Sequence, residues 1–349
     1  MKNNKIKIGF VGAGFIGQLC HIINYIDNNK CEIIALADNK KKLGKLVASK
    51  YKIPKVYQNH KELLNNEKNI DAIIIVTKRS FTPDITLDCL NNNRSVFVEK
   101  PLALSYDKGI KLVTEAKKRK LIYKVGYNKI YDNGIQKAKK IFDNLILSKE
   151  LGEIVFVRSH RFSGTGYCNQ SGQVKTKEKE IKQKINSQFP KWLPKKFEKQ
   201  YDSYLNLYCH NINLLRFFFN KNPKIDYVDF AKSNTQLVVF DFGNFKATLE
   251  TKAYKDDVWD EEIEIFFEHG LLKIKTPPQQ LVNVPAQITL FKRKSNTEIY
   301  KPNIKPSWSF KLQSDGFIKD LITKKISINS AEDSLNDLLL IENIWKKWI

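Results

Sequence analysis

Six residues near the start of the chain, Gly12-Ala13-Gly14-Phe15-Ile16-Gly17, constrain its architecture more than any other feature. They follow a short apolar run, residues 6–11, and precede a stretch with helical periodicity, residues 19–25. A GxGxxG turn between strand and helix uses its first glycine for the tight turn and its second to let the backbone approach a pyrophosphate. The third lets helix and strand pack closely. The N–H groups at the helix start then face the phosphates. Asp38 ends the next apolar run about 20 residues further on, where a carboxylate meets the ribose hydroxyls of a dinucleotide. A carboxylate there repels a 2′-phosphate and favours NAD. Lys40, Lys41 and Lys42 follow at once and partly offset that repulsion, which leaves NADP as the alternative.

Residues 6 to about 124 alternate between short apolar runs and helical stretches. The strand candidates are residues 6–11, 33–37, 72–76, 95–99 and 122–126, with a helical stretch at 82–90. Strands that are apolar throughout are covered on both faces, and a βαβα order implies a doubly wound parallel sheet. From 125 onward the texture changes. Phe245, Ala247, Leu249, Thr251 and Ala253 alternate with polar residues, the period of a half-buried strand. Residues 262–267 and 271–275 flank Glu268-His269-Gly270 as a hairpin, residues 155–162 form another strand, and 331–349 read as an amphipathic helix. The expected organisation is an α/β chain: a Rossmann domain over 1–124 and an α+β domain over 125–349 with a mostly antiparallel open sheet. The Lys-rich stretch 175–200 reads as a long solvated loop.

No apolar run approaches the ~18 residues needed to cross a bilayer, so no membrane partner is expected. The first residues carry no signal-peptide pattern. Cys20, Cys31, Cys89, Cys168 and Cys209 form no CxxC pair, which suits a reducing compartment, and a cytoplasmic location is expected. The formal charge of +23 either attracts anionic partners or reflects the abundance of Lys, Asn and Ile expected of an AT-rich genome. The lysines are spread along the chain rather than gathered in one stripe, so no nucleic-acid partner is expected.

Two further residues carry chemistry. Lys100, in Glu99-Lys100-Pro101, follows a predicted strand, and ligands of open α/β sheets bind beyond the carboxyl ends of the strands. His210 lies on an apolar helix with Asn206 and Asn213 at i, i+4, i+7 spacing. From spacing alone it reads as a hydrogen-bonded histidine of a core polar cluster. Cys209 and His210 are adjacent and point apart, and no second ligand pair is spaced for zinc, so no metal is expected.

Together these residues resemble the Gfo/Idh/MocA oxidoreductases. The resemblance runs through residues 8–17, Ile75-Val76-Thr77, Val96-Phe97-Val98-Glu99-Lys100-Pro101-Leu102, Val125-Gly126-Tyr127-Asn128, residues 210–216 and residues 330–335. It implies hydride transfer between a nicotinamide and a hydroxyl or keto carbon of a sugar, cyclitol or nucleotide sugar. It implies cofactor contacts from Gly12, Gly14, Phe15, Ile16, Gly17, Asp38, Thr77, Lys78, Glu99 and Lys100. Lys100 would tune proton transfer at the reacting oxygen and His210 would serve as general acid/base. Asn206 stands where many members carry an aspartate and supplies no negative charge, and Asn213 also replaces a frequent aspartate. Lys78-Arg79 replaces a Pro-Asn, and two cations there hint at an anionic substrate or at added phosphate contacts. A non-catalytic sensor of the same fold is the competing reading. A homodimer or homotetramer is expected through the outer face of the second sheet, where Phe266 stands among polar positions.

Overall fold

The computed structural model describes residues 5–164, 171–179, 188–231, 235–254, 258–293 and 296–349. Cys168 and residues 180–187 of the Lys-rich stretch lie outside the described residues. The chain divides into two compact units. The first comprises residues 1–127, 170–206 and 313–338, and the second residues 128–169, 207–312 and 339–349.

The first unit holds a six-stranded sheet of β1 (Ile6–Val11), β2 (Cys31–Ala37), β3 (Lys55–Tyr57), β4 (Ala72–Ile75), β5 (Ser95–Val98) and β6 (Tyr123–Val125). The strand order is β3-β2-β1-β4-β5-β6, and every pairing is parallel. This is the doubly wound order in which ligands bind where the strand order reverses, between β1 and β4. β4 and β5 are buried along their whole length, as expected of strands covered on both faces. Register decides what meets at the carboxyl edge. Val11 pairs with both Ala37 and Ile75, so Gly12, Asp38 and Val76 emerge side by side. The edge strand β3 has no counterpart among the sequence-level strands. Its three residues are too short for a period to show, and none is fully buried.

Helix α8 (Ser309–Thr323) returns from far along the sequence, and Phe317 enters the core around Ile8, Phe10, Leu36, Ile74 and Phe97. Lys124 on β6 forms an ion pair with Asp320 on α8, and neither side chain is more than 1% exposed. Burial pushes the Lys124 ammonium below its ordinary pKa, opposed by the Asp320 carboxylate.

The second unit holds β7 (Ile154–Ser163), β8 (Lys224–Phe230), β9 (Gln236–Asp241), β10 (Lys246–Ala253), β11 (Trp259–Phe267), β12 (Gly270–Lys275), β13 (Gln287–Arg293) and β14 (Thr297–Tyr300). Their order is β14-β13-β12-β11-β7-β10-β9-β8, antiparallel except for the β7–β10 pair. The expected hairpin is β11–β12, with Phe267 opposite Gly270. One face is apolar, with Leu249, Ile263, Ile265, Leu272, Ile274 and Leu290 all buried. Helix α6 (Asn133–Ser148) packs on β12 and β13.

The opposite face alternates charge with half-buried rings. Arg158 forks onto Glu250 at 2.9 and 2.8 Å, and Lys273 pairs with Glu262 at 2.6 Å. Phe156 and Phe266 stand beside these pairs, 6.4 Å apart. No helix of the described residues is long and apolar enough to cross a membrane.

Candidate functional site

The glycine turn closes around the carboxyl end of β1. Gly12 has φ +101°, and a Cβ there would lie 2.1 Å from the Val76 carbonyl oxygen. A Cβ at Gly17 would lie 2.5 Å from the Gly12 carbonyl oxygen. Neither position tolerates a side chain, one because of its left-handed backbone and both because of backbone contact. Gly14 is different, because a Cβ there meets nothing within 4 Å. That bare backbone faces open space, which is the cradle a pyrophosphate needs.

A cleft of about 380 Å³ opens in front of the turn. Gly12, Gly14, Phe15, Ile16, Gly17, Asp38, Thr77 and Lys78 all line it, joined by Asn39, Lys40, Leu43, Gln58 and Phe81. Glu99 and Lys100 are not among its lining residues. Asp38 also buttresses the turn. One carboxylate oxygen accepts the Ala13 N–H at 2.6 Å and the other the Lys40 N–H at 2.8 Å. A carboxylate oxygen has two lone pairs, so such a group can hold backbone N–H donors and still meet a ribose hydroxyl. The chain leaves the turn through a π-helical segment, Gly17–Ile22, a form that often marks functional sites.

That segment carries His21, a residue the sequence reading passed over although it is a polar group in an apolar helix. His21 is fully buried, and its Nε2 lies 2.7 Å from Glu99 Oε1. Glu99 Oε2 in turn accepts the Lys100 N–H at 3.2 Å. Lys100, half-buried beyond the end of β5, donates from Nζ to the Asn206 carbonyl oxygen at 2.7 Å and to Asn206 Oδ1 at 3.2 Å. Asn206 belongs to this unit, on the first part of helix α7 (Glu198–Phe219). Arg79 forks onto Asp202 of the same helix at 2.8 and 2.5 Å. Of the two cations read as facing an anion, Arg79 is therefore engaged by a carboxylate of the chain, and Lys78 lines the cleft. Asp202 was not legible as a partner, because only folding brings it to Arg79.

In the second unit, the later part of α7 carries His210, Asn211 and Asn213, each no more than 3% exposed. His210 lies one helical turn after Asn206. Asn211 donates from Nδ2 to Glu261 Oε1 at 2.8 Å, and the Lys129 ammonium pairs with the same oxygen. Arg161 donates to Ser163 Oγ at 3.1 Å and stacks its guanidinium 5.1 Å from the Trp259 ring centre. Burial pushes the Lys129 ammonium down to about 8, against the opposing pull of Glu261. Burial also pushes the Tyr208 hydroxyl up. Apart from His210 and Asn213, this cluster has no sequence signature. Its members come from four separate segments and share no period. Among the described residues, no group of three or more His, Cys, Asp or Glu is placed to hold a metal ion. Cys20, Cys31, Cys89 and Cys209 are buried and unbridged.

Residues 6–127 match the family model described as "Oxidoreductase family, NAD-binding Rossmann fold". The chain is 29% identical over 164 residues to an inositol 2-dehydrogenase of Salmonella paratyphi B, covering 46% of this chain and 47% of that one. It is 26% identical over 157 residues to a 2,7-anhydro-N-acetylneuraminate hydratase of Escherichia coli, covering 45% and 40%. The matches thus span about half the length of these curated relatives or less. In fold, the chain is similar to a 3-ketoreductase from Actinomadura kijaniata solved with TDP-benzene and NADP. The TM-score is 0.74 at 14% identity, over 99% of this chain and 98% of that one. The matched segment, the strand order and the bare cradle at Gly14 agree. Residues 6–127 of this chain thus match the NAD-binding Rossmann domain of the Gfo/Idh/MocA oxidoreductase family.

Proposed function

We propose that the protein is an NAD-dependent oxidoreductase acting on a hydroxyl or keto carbon of a sugar, cyclitol or nucleotide sugar. One observation carries this reading. The Lys100 ammonium stands beyond the carboxyl end of β5 and is held by two oxygens of Asn206 rather than dispersed in solvent. The nicotinamide, when bound, supplies the hydride acceptor or donor.

The residues of this chain manage the proton. An ammonium has three donors, and Lys100 commits two of its hydrogen bonds to Asn206, which leaves one for the reacting oxygen. Asn206 is a positioning residue in this scheme. Glu99, pinned by His21, fixes the backbone from which Lys100 projects. His210 serves as the general acid/base, a role suited to imidazole because its class titrates close to working pH. Asp38 and the glycine turn hold the adenosine and pyrophosphate portions. Arg79 is already engaged by Asp202, so of the two cations Lys78 is the one placed to meet an anionic group in the cleft.

Intrinsic fluorescence titrated with NAD⁺ and NADP⁺ tests the cofactor half of the proposal. Absorbance of reduced nicotinamide, followed over a panel of inositols, hexoses and nucleotide sugars, tests the substrate half. Tighter NAD⁺ binding and turnover on at least one polyol are expected. Binding without turnover on any of them would move the protein to the non-catalytic sensors. We also propose that the outer face of the second sheet pairs with a second copy, since Phe156 and Phe266 remain only half-buried there. Light scattering at micromolar concentration is expected to give a dimer or tetramer mass, and a strictly monomeric mass would refute the pairing.

A further inference from the structure

A segment that runs into the Lys-rich stretch read from sequence as a solvated loop is firmly attached. Residues 171–179 belong to the same unit as the dinucleotide cleft and are tied to it at three points. Near the start, the Lys50 ammonium bonds to the Gly172 carbonyl oxygen. In the middle, the side-chain amide of Gln18, itself 1% exposed, reads the Val174 backbone in both directions. Its Nε2 donates to the Val174 carbonyl at 3.0 Å, and its Oε1 accepts the Val174 N–H at 2.8 Å. The same Nε2 lies 2.7 Å from the Ala13 carbonyl oxygen, inside the glycine turn. The Val174 side chain packs on the core of the unit.

The third tie is the informative one. Glu178 Oε2 accepts the N–H groups of Lys42 at 2.9 Å and Leu43 at 3.3 Å, at the start of helix α2 (Lys41–Tyr51). A helix start is an anion site by virtue of its unpaired donors and dipole. Helix α2 has no side-chain cap of its own and no acidic residue in its first turn. Glu178 supplies the missing anion from 136 residues away. Asp38, Lys40 and Leu43 line the cleft beside it, and Asp38 already accepts the Lys40 N–H. The N–H groups of Lys40, Lys42 and Leu43, close to the Asp38 carboxylate, are therefore held by two carboxylates of the chain itself.

We infer that Glu178 is a specificity-determining residue. It fills the α2 donor set that a 2′-phosphate would otherwise use, and it excludes NADP together with Asp38. This rests on the reading of the cleft as a nicotinamide dinucleotide site. Without Glu178, the α2 N–H groups and the neighbouring Lys40, Lys41 and Lys42 present a cationic, donor-rich surface to a 2′-phosphate. Charge-assisted hydrogen bonds of this kind are worth roughly 1.5–3 kcal/mol, about tenfold or more in affinity.

Glu178→Ala is expected to tighten NADP⁺ binding about tenfold and to leave NAD⁺ binding within about twofold. Glu178→Gln, which keeps an acceptor but no charge, should fall between wild type and Glu178→Ala. Fluorescence or calorimetric titration of the intact protein with each cofactor measures both constants, and no turnover is needed. Equal loss of both cofactors in the alanine variant would make Glu178 a helix cap only and overturn the inference. So would an unchanged NADP⁺ to NAD⁺ ratio in both variants. Failure of the wild-type protein to bind either cofactor would instead remove the reading of the cleft.

Discussion

Lys100→Ala and His210→Ala are each expected to lower turnover by about 10²–10⁴-fold, the usual loss when a general acid or base is removed. NAD⁺ affinity is expected to stay within about threefold of wild type, because neither residue lines the cleft in front of the glycine turn. Lys100→Ala should be the more damaging of the two. Asn206 supplies no negative charge to favour an imidazolium on the same helix, so the proton chemistry leans on the ammonium. The two hydrogen bonds from Lys100 Nζ to Asn206 show how that ammonium is aimed. Asn206→Asp keeps an oxygen in place of Oδ1 and is expected to retain most of the turnover. Steady-state kinetics of the three variants, with cofactor titrations alongside, measure these outcomes. Wild-type turnover in both alanine variants would defeat the proposed proton relay while leaving the cofactor site intact.

The largest effect on stability is expected at the Lys124–Asp320 pair. Both side chains are essentially excluded from solvent, and burial already works against the Lys124 charge. Asp320→Ala leaves a buried ammonium without its carboxylate, and breaking such a pair costs about 3–5 kcal/mol. Asp320 also accepts the Ser327 N–H at 3.2 Å, so the loop after α8 loses a tether as well. Urea unfolding should show a lowered midpoint with little change in slope. Replacing both partners, Lys124→Met with Asp320→Leu, should recover much of the loss, because a buried pair can be exchanged for apolar packing at little cost. A single-variant penalty below about 1 kcal/mol would mean that water reaches the ammonium.

The two residues of that pair illustrate what was hard to read. Lys124 lies in a strand that periodicity marks clearly, yet its charge contradicts the pattern until Asp320, 196 positions away, is placed beside it. Strand β3 escaped notice for a different reason. Three half-exposed residues at a sheet edge carry too little apolar signal to stand out from a loop. The Lys-rich stretch looked solvated because composition reports average polarity and says nothing of individual contacts. Glu178 nonetheless ties part of it to the start of α2, just after Gln18 holds Val174. Arg79 looked available to an anion because nothing near it in sequence suggested Asp202.

The sequence by itself determined the parallel sheet, the glycine turn ahead of Asp38 and the alternating strands of the second sheet. All of these rest on short-range chemistry: apolar periodicity set by backbone geometry, and turns that only glycine can make. Tertiary structure alone decided how the polar side chains are held. His21 on Glu99, Asn206 on Lys100, Asp202 on Arg79 and Glu178 on the start of α2 are pairings between segments 78 to 136 residues apart. Polar contacts at such separations follow no period. They form where packing of the apolar parts happens to bring a donor and an acceptor within about 3 Å.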